Sequence, residues 1–254
     1  MKRLALLALL FATPVMAQDA PAETVLVNGA SLVGVWHGTL SQAGFYGLFG
    51  AVTGLSAPVL GQMADAFCRI APAKEELVMY CMQFGWNARV TLEDGHVRIG
   101  NSRLAFVGDQ PDAMHLRGRF RASSWLGVST ENPQASEAVR IAPQADAPDA
   151  AGKAPLLRRI LNEGLGGVPH DPEAMKKNES IFTLPKLGAV QSLSYLGQET
   201  KWDWPPPPDI AADRMHIPNR PDFFSVYFVR FTEGERLCGL HQREDGVLDA
   251  FRCV

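Results

Sequence analysis

The chain has 254 residues, 46% of them hydrophobic, and a formal net charge of −3 at neutral pH. This length predicts one large domain or two small ones, and the hydrophobic content suffices for packed cores, which excludes a disordered chain. The mildly acidic balance argues against general binding of nucleic acid.

The first 17 residues have the pattern of a secretory signal peptide. Lys2 and Arg3 precede an apolar run over residues 4–11, and Val15 and Ala17 occupy the two recognition positions of a cleavage site. The run is shorter than the roughly 20 residues that span a bilayer. We therefore expect cleavage after Ala17, a periplasmic or secreted protein, and a loose leader over residues 18–30; the alternative is a buried N-terminal helix.

Residues 31–142 predict a β domain made of short strands. Residues 114–122 alternate strictly between apolar or small side chains and His or Arg, which is typical of a half-buried antiparallel strand. Asp94-Gly95 is a strong signal for a two-residue hairpin turn. Strands are expected at residues 31–40, 66–71, 77–84, 88–93, 96–100, 104–107, 113–122, 125–130 and 136–141. So many strands in a short segment predict a small antiparallel β-barrel.

The insertion after the first strand, residues 43–64, carries no charged side chain. One interpretation is a glycine-rich loop or short helix that covers one end of the barrel. A second is a lid over a cavity, which would make Phe45, Tyr46 and Phe49 candidate ligand-binding residues. A third is an apolar surface over residues 43–61 that contacts a membrane or an envelope protein.

Arginines collect on the polar faces of the predicted strands. If Leu104 pairs with Leu116, then Arg103 meets Arg117, and like charges placed directly opposite are unfavourable. Local carboxylates could balance a solvated face; the candidates are Glu93, Glu131 and Glu137. Alternatively, the barrel could turn this face inward around an anionic ligand, and Arg117 and Arg119 are therefore candidate ligand-binding residues.

The four cysteines are placed to form two hairpin disulfides. Counting outward from the Asp245-Gly246 turn sets Cys238 opposite Cys253, and counting outward from residues 73–76 sets Cys68 opposite Cys81. Opposed Cβ atoms on paired strands lie about 4.5–5.5 Å apart, close to disulfide range. Free buried thiols are the alternative, which export to an oxidising compartment disfavours.

A second domain is expected after residue 155. Residues 143–155 have the composition of a linker, and residues 155–163 then show helical spacing of leucine and isoleucine. Asp171-Pro172 predicts the start of a second helix that runs to about residue 184. Strands are predicted at residues 189–196, 223–231, 236–242 and 247–253. Residues 156–254 thus predict a helix packed on an antiparallel sheet, similar in layout to cystatin-like or NTF2-like modules of secreted bacterial proteins. The fold class is mainly β, with a barrel followed by an α+β domain.

The first predicted strand contains Gly34-Val35-Trp36. This Gly-x-Trp motif resembles the first strand of the lipocalin-like (calycin) barrels. The resemblance implies that Trp36 closes the base of the barrel, and that the barrel binds a hydrophobic small molecule or serves as a structural accessory. We therefore hypothesise a non-catalytic periplasmic or secreted protein that binds an apolar or amphiphilic ligand or an envelope partner, with Trp36 among the candidate ligand-binding residues.

Catalytic motifs of the common hydrolase and nucleotide-binding families are missing from the sequence. The histidines are scattered without the spacing of metal ligands, so neither a metal nor a cofactor is expected. The alternative hypothesis is a hydrolase whose site lies between the two domains. It requires His170 or His216 to lie within about 3 Å of a carboxylate or hydroxyl in a concave site.

Overall fold

The computed structural model describes residues 26–27, 30–41, 63–82, 87–100, 104–123, 129–131, 135–145, 147–173, 184–200 and 223–254. The predicted signal peptide lies outside these residues. The first part of the chain contains β1 (Leu26–Val27), β2 (Ala30–Ser31), β3 (Gly34–Ser41), β4 (Met63–Ala73), β5 (Glu76–Cys81), β6 (Asn87–Glu93), β7 (His96–Gly100), β8 (Leu104–Asp112), β9 (His115–Ser123), β10 (Ser129–Glu131) and β11 (Ser136–Ile141). The second part contains α1 (Ala154–Glu163), β12 (Val190–Thr200), β13 (Phe223–Phe231), β14 (Gly234–Gln242) and β15 (Leu248–Cys253).

Eight antiparallel strands close into a barrel. Strands β3 to β9 pair in chain order, β9 then pairs with β11, and β11 returns to β3. The short strand β10 pairs with residues 121–123 of β9, beyond the part of β9 that pairs with β11. Closure leaves no unpaired barrel edge that could recruit another chain. The predicted antiparallel barrel is confirmed, while β1 and β2 pair with each other in the segment where a loose leader was expected.

The interior of the barrel is apolar because side chains alternate between its two faces. Trp36 is 1% exposed, and it packs in one cluster with Ile70, Val97 and Leu116 from other strands. The arginines of β9 occupy the opposite face, as the alternation of residues 114–122 predicted. Burial of this interior is the main source of barrel stability.

Both predicted disulfides are present. Cys68 bonds Cys81 across β4 and β5, and Cys238 bonds Cys253 across β14 and β15, each with a Cα separation of 4.1 Å. The ladder of β14 and β15 contains a β-bulge near the Asp245-Gly246 turn, but the register at the cysteines is the predicted one. Each disulfide therefore closes a hairpin inside its own part of the protein.

The hairpin of β8 and β9 has a register different from the predicted one. Leu104 pairs with Ala122, whereas the sequence pattern placed Leu116 opposite it. Strand β8 is longer than the predicted 104–107, β9 begins at His115 and not at residue 113, and the chain turns at residues 113–114. The predicted pairing was wrong because alternation fixes which face a side chain occupies but does not fix where the chain turns.

The corrected register removes the predicted contact between Arg103 and Arg117. Arg117 lies opposite Asp109, and Arg103 lies outside the described residues. Gly108 and Gly118 face each other, and a Cβ on Gly108 would lie 2.2 Å from the carbonyl oxygen of Arg117. The two backbones therefore approach too closely for any other residue type at these positions.

The second sheet has the order β12-β13-β14-β15 and is covered on both faces. On one face Tyr227 and Val229 pack against Leu157 and Ile160 of α1. On the other face Val226 and neighbouring side chains pack against the outside of the barrel, which contributes Val35 and Phe67. The two parts of the chain are thus joined by apolar packing of a sheet that alternates apolar residues on both sides.

The predicted linker is tied to the second sheet. The Asp149 carboxylate accepts hydrogen bonds from Ala154 N at 2.7 Å and from the Tyr227 hydroxyl at 2.8 Å. These contacts fix the start of α1, which begins one residue earlier than predicted. Asp171 Oδ1 accepts a hydrogen bond from Glu173 N, as expected of a helix cap, while residues 174–183 of the second predicted helix lie outside the described residues.

Candidate functional site

The two ends of the barrel are built differently. At one end three tight turns join the strands, and Lys74, Asp94 and Gly95 in these turns adopt positive φ values. At the opposite end the strands are joined by residues 42–62, 83–86, 101–103 and 124–128, which lie outside the described residues. We name the first end the turn end and the second the connection end.

Trp36 and Arg140 close the turn end. The Trp36 indole donates a hydrogen bond to Leu32 O at 3.0 Å, and the Arg140 guanidinium lies 5.8 Å from the indole ring. Arg140 also donates to the carbonyl oxygens of Ser31 and Val33. A cation over an indole ring and two satisfied carbonyls stabilise this end of the barrel. Trp36 is thus buried in the barrel core beside Arg140, near the turn end.

The packing of Arg140 explains why glycine occupies the first position of the Gly-x-Trp motif. Gly34 adopts a φ of 153°, and a Cβ at this position would lie 2.8 Å from Nε of Arg140. Any larger residue would displace the guanidinium from the indole of Trp36. Arg140 was missed in the sequence, although its inward position follows from the alternation of Ser136, Ala138 and Arg140 along β11.

A cavity of about 50 Å³ lies inside the barrel. Its lining comes from six strands and consists of Met79, Cys81, Ala88, Ile99, Phe106, Leu116, Phe120, Ser136, Glu137 and Ala138. The rings of Phe106 and Phe120 meet edge to face, with centroids 5.8 Å apart. Small residues at Ala88 and Ala138 leave this space. The Glu137 carboxylate points away from the cavity, to Arg117 on the outer face, so the cavity can take an apolar group but offers it no charged anchor.

Arg117 and Arg119 do not line this cavity. Both lie on the outer face, where Arg117 pairs with Glu137 at 2.9 Å and Arg119 pairs with Glu131 at 3.3 Å. Hydrogen bonds from Arg121 and then Arg119 hold the pKa of Glu131 below its usual range. Glu93, the third carboxylate that the sequence suggested, lies 3.6 Å from Nε of Arg98. The arginine face is thus a solvated surface balanced by all three suggested carboxylates, and the inward arrangement is not observed.

Three of the predicted site residues cannot be placed. Phe45, Tyr46 and Phe49 belong to the apolar insertion 43–64, which lies almost wholly outside the described residues. The strands that flank it do fix its origin, because β3 ends and β4 begins at the connection end of the barrel. The insertion therefore leaves and rejoins the barrel at its connection end.

The described histidines do not form the arrangement that a hydrolase requires. His170 Nδ1 lies 2.7 Å from the carbonyl oxygen of Val168, and His216 lies outside the described residues. Three histidines lie beside aspartates, namely His96 with Asp109, His115 with Asp112 and His241 with Asp249. In the described part of the chain none of these pairs shares a hydrogen bond with a hydroxyl, and no group of three His, Cys, Asp or Glu side chains could hold a metal ion.

A buried carboxylate joins the barrel to the second sheet. Glu199 is 2% exposed, and its Oε1 accepts a hydrogen bond from Phe67 N at 2.6 Å. This contact satisfies the backbone N–H of Phe67, next to the last pair of the β4–β5 ladder, Cys68 and Cys81. The sequence pattern did not indicate this contact, because β12 was predicted to end at residue 196 and Glu199 was assigned to the following loop.

No protein family, curated protein or solved structure matches this chain. Among the described residues, no helix is both long enough and apolar enough to cross a membrane. The two disulfides indicate an oxidising compartment, periplasmic or extracellular. What the site does must therefore be argued from its own geometry.

Proposed function

We propose that this is a non-catalytic protein of the periplasm or the extracellular space, and that its barrel takes up the apolar part of a small hydrophobic or amphiphilic molecule. The observation that carries the proposal is the apolar cavity inside a barrel sealed at its turn end. Burying apolar surface there is favourable by about 25 cal/mol per Å². A charged group would lose its hydration without a partner and is expected to stay outside.

The size of the cavity limits what can enter. At about 50 Å³ it is much smaller than the cavity of roughly 150 Å³ that accommodates benzene in a protein core. A ligand would therefore enter by the end of an apolar chain and displace the Met79 side chain, which is flexible and adapts to irregular space. The polar end of an amphiphilic ligand would stay at the connection end.

Assignment to the lipocalin-like barrels and export by a signal peptide belong to the same proposal. Its support is the closed eight-stranded antiparallel barrel, the packing of Gly34 and Trp36 with Arg140, and the two disulfides. Export predicts that the mature protein begins at Gln18, which mass spectrometry of periplasmic material checks. A retained N-terminal segment would contradict the export.

Neighbouring residues on β11 provide a matched test. Ala138 lines the cavity, whereas Val139 is 41% exposed on the outer face. We expect wild-type protein to bind decanoate in calorimetric titration below its micelle concentration. Ala138→Leu, which fills the cavity, should weaken binding about tenfold or more, a loss of roughly 1.4 kcal/mol. Val139→Leu should leave binding unchanged.

The outcome that contradicts the proposal is equally clear. If decanoate does not bind the wild type, or if Ala138→Leu and Val139→Leu bind it equally well, the cavity is not the site. Thermal unfolding of both variants checks that Ala138→Leu still folds, because overpacking a core costs about 1–3 kcal/mol. Binding of an envelope partner or membrane through residues 43–61 is the alternative form of the proposal, and co-sedimentation with anionic vesicles tests it.

A further inference from the structure

A second cavity lies in the sheet part of the protein, away from the barrel interior. Its volume is about 190 Å³, and it is lined by Lys153, Gln198, Ser225, Leu240, His241 and Gln242. Five of these six residues are polar, in contrast to the apolar lining of the barrel cavity. We name it the polar cavity.

The polar cavity exists because the sheet extends past the start of α1. Along β13 the side chains of Ser225, Tyr227 and Val229 alternate toward the face that α1 covers. The helix packs on Tyr227, and Asp149 holds its first turn there through the Tyr227 hydroxyl and Ala154 N. Ser225 lies on the same face of β13, two residues before Tyr227 and beyond the start of the helix. The floor of the cavity is thus formed by rigid strands.

One positive charge in the lining has no acidic partner. Lys153 Nζ donates a hydrogen bond to Gln242 Oε1 at 2.6 Å and forms no ion pair within the described residues. The Gln242 amide is oriented by its own hydrogen bond to Gly246 O. His241 lies beside Asp249, with Nδ1 and Oδ1 2.5 Å apart, so any charge on this histidine is balanced. The lining therefore favours a ligand with a single negative charge.

A hydroxyl that lines the polar cavity forms no side-chain hydrogen bond within the described part of the chain. Ser225 is 6% exposed, and its Oγ remains accessible from the cavity, since it is not one of the fully buried polar atoms that lack a partner. A ligand that carries its own hydroxyl or carboxylate would satisfy Ser225 from inside the cavity.

We propose that the polar cavity binds a hydroxylated carboxylic acid about the size of one six-membered ring. The carboxylate would pair with Lys153 Nζ, and the hydroxyls would exchange hydrogen bonds with Ser225 and Gln198. The volume of about 190 Å³ in a pocket that opens to solvent leaves room for one ring, whose substituents can extend through the opening. The assignment is independent of the barrel cavity and of its ligand.

Matched probes separate charge from shape. D-Glucuronate and quinate represent the proposed class, and D-glucose and myo-inositol are their neutral counterparts. Titration of the full disulfide-bonded protein, followed by NMR, should show binding of the two acids with shifts at Lys153, Ser225 and Gln242. The neutral compounds should bind about tenfold more weakly or not at all, because they lack the charge-assisted hydrogen bond.

Variants of two lysines complete the test. Lys153→Met should weaken binding of the acids about tenfold or more, Lys153→Arg should retain most of it, and Lys186→Met, at an exposed position of the same part of the chain, should not change it. Equal binding of acids and neutral rings, no binding at millimolar concentration, or equal effects of Lys153→Met and Lys186→Met would each overturn the proposal. Circular dichroism confirms that Lys153→Met folds. Ala138→Leu should leave glucuronate binding unchanged, so failure of the barrel proposal can be told apart from failure of this one.

Discussion

The barrel and the second sheet are each stapled by a hairpin disulfide, yet their cores are filled differently. Small residues such as Ala88 and Ala138 leave a cavity inside the barrel. In the sheet part, Tyr227, Phe231 and Phe251 pack directly against the helix. The diameter of a closed barrel is set by its strand number, so its filling depends on side-chain volume alone. A helix and a sheet, in contrast, can move closer together until their side chains touch, so a small residue between them need not leave a cavity.

Truncation of one phenylalanine in each core should give the largest difference. Phe251 is fully buried under α1, and Phe251→Ala should lower the free energy of unfolding by about 3–5 kcal/mol. Phe106 already borders a cavity, so Phe106→Ala forfeits fewer contacts and should cost about 2–3 kcal/mol. Hydrogen exchange of peptides from each part measures both values. The reverse order would break the comparison between a loosely filled barrel and a solid sheet core.

Removal of each disulfide should have a smaller and nearly equal effect. The bonded cysteines are separated by 13 residues in the barrel and 15 in the sheet part. Loops of this length lose about 3 kcal/mol of stability when the bond is removed by paired Cys→Ala substitutions. Denaturant unfolding of the two double variants checks this. A much larger loss for Cys238 and Cys253 would show that packing under α1, and not loop entropy, dominates.

The smallest expected effect concerns pH. Burial, and then the hydrogen bond to Asp149, raise the pKa of Tyr227, whereas an unfolded tyrosine ionises near pH 10. The unfolded state thus loses its proton first, and stability that is present below about pH 10 is lost as the pH rises. Tyr227→Phe should cost about 1 kcal/mol at neutral pH and flatten this decline.

The matched variant for this effect is Asp149→Asn. It removes the charge but keeps Tyr227 buried, so part of the alkaline decline should persist. The free energy of unfolding, measured from about pH 8 to about pH 11 and thus across the tyrosine pKa of about 10, distinguishes the variants. If Tyr227→Phe declines as steeply as the wild type, ionisation of this tyrosine does not limit alkaline stability.

Features that depend on neighbours in sequence could be predicted. The hairpin at Asp94-Gly95 pairs as its turn residues indicated. The cysteine pairs follow from counting outward from residues 73–76 and from Asp245-Gly246, although the second hairpin contains a β-bulge near its turn. The change from strand-like to helical spacing of apolar residues at residue 155 predicts the position of α1. Asp171 accepts the hydrogen bond from Glu173 N that was expected of a helix cap. Turn chemistry and alternation act over a few residues, so the sequence carries them directly.

Features that depend on distant strands could not be predicted in the same way. The wrong register of β8 and β9 is one case, because the close approach of Gly108 and Gly118 becomes apparent only when both strands are in place. The arginine face is another. Whether Arg117 and Arg119 point inward or outward depends on how the sheet closes, which is decided by pairing of β11 with β3.

The sequence by itself determined that this is a mainly β protein with two hairpin disulfides. It also determined that a helix follows the barrel strands and precedes the strands of the second sheet. The tertiary structure alone decided the register of β8 and β9, the position of Arg140 over Trp36, and the contact by which Glu199 joins the two parts. It also created both cavities, since each is the space left between elements far apart in the chain. The physical reason is that local propensity fixes the elements, whereas volume, charge and hydrogen-bond satisfaction are settled only when those elements meet.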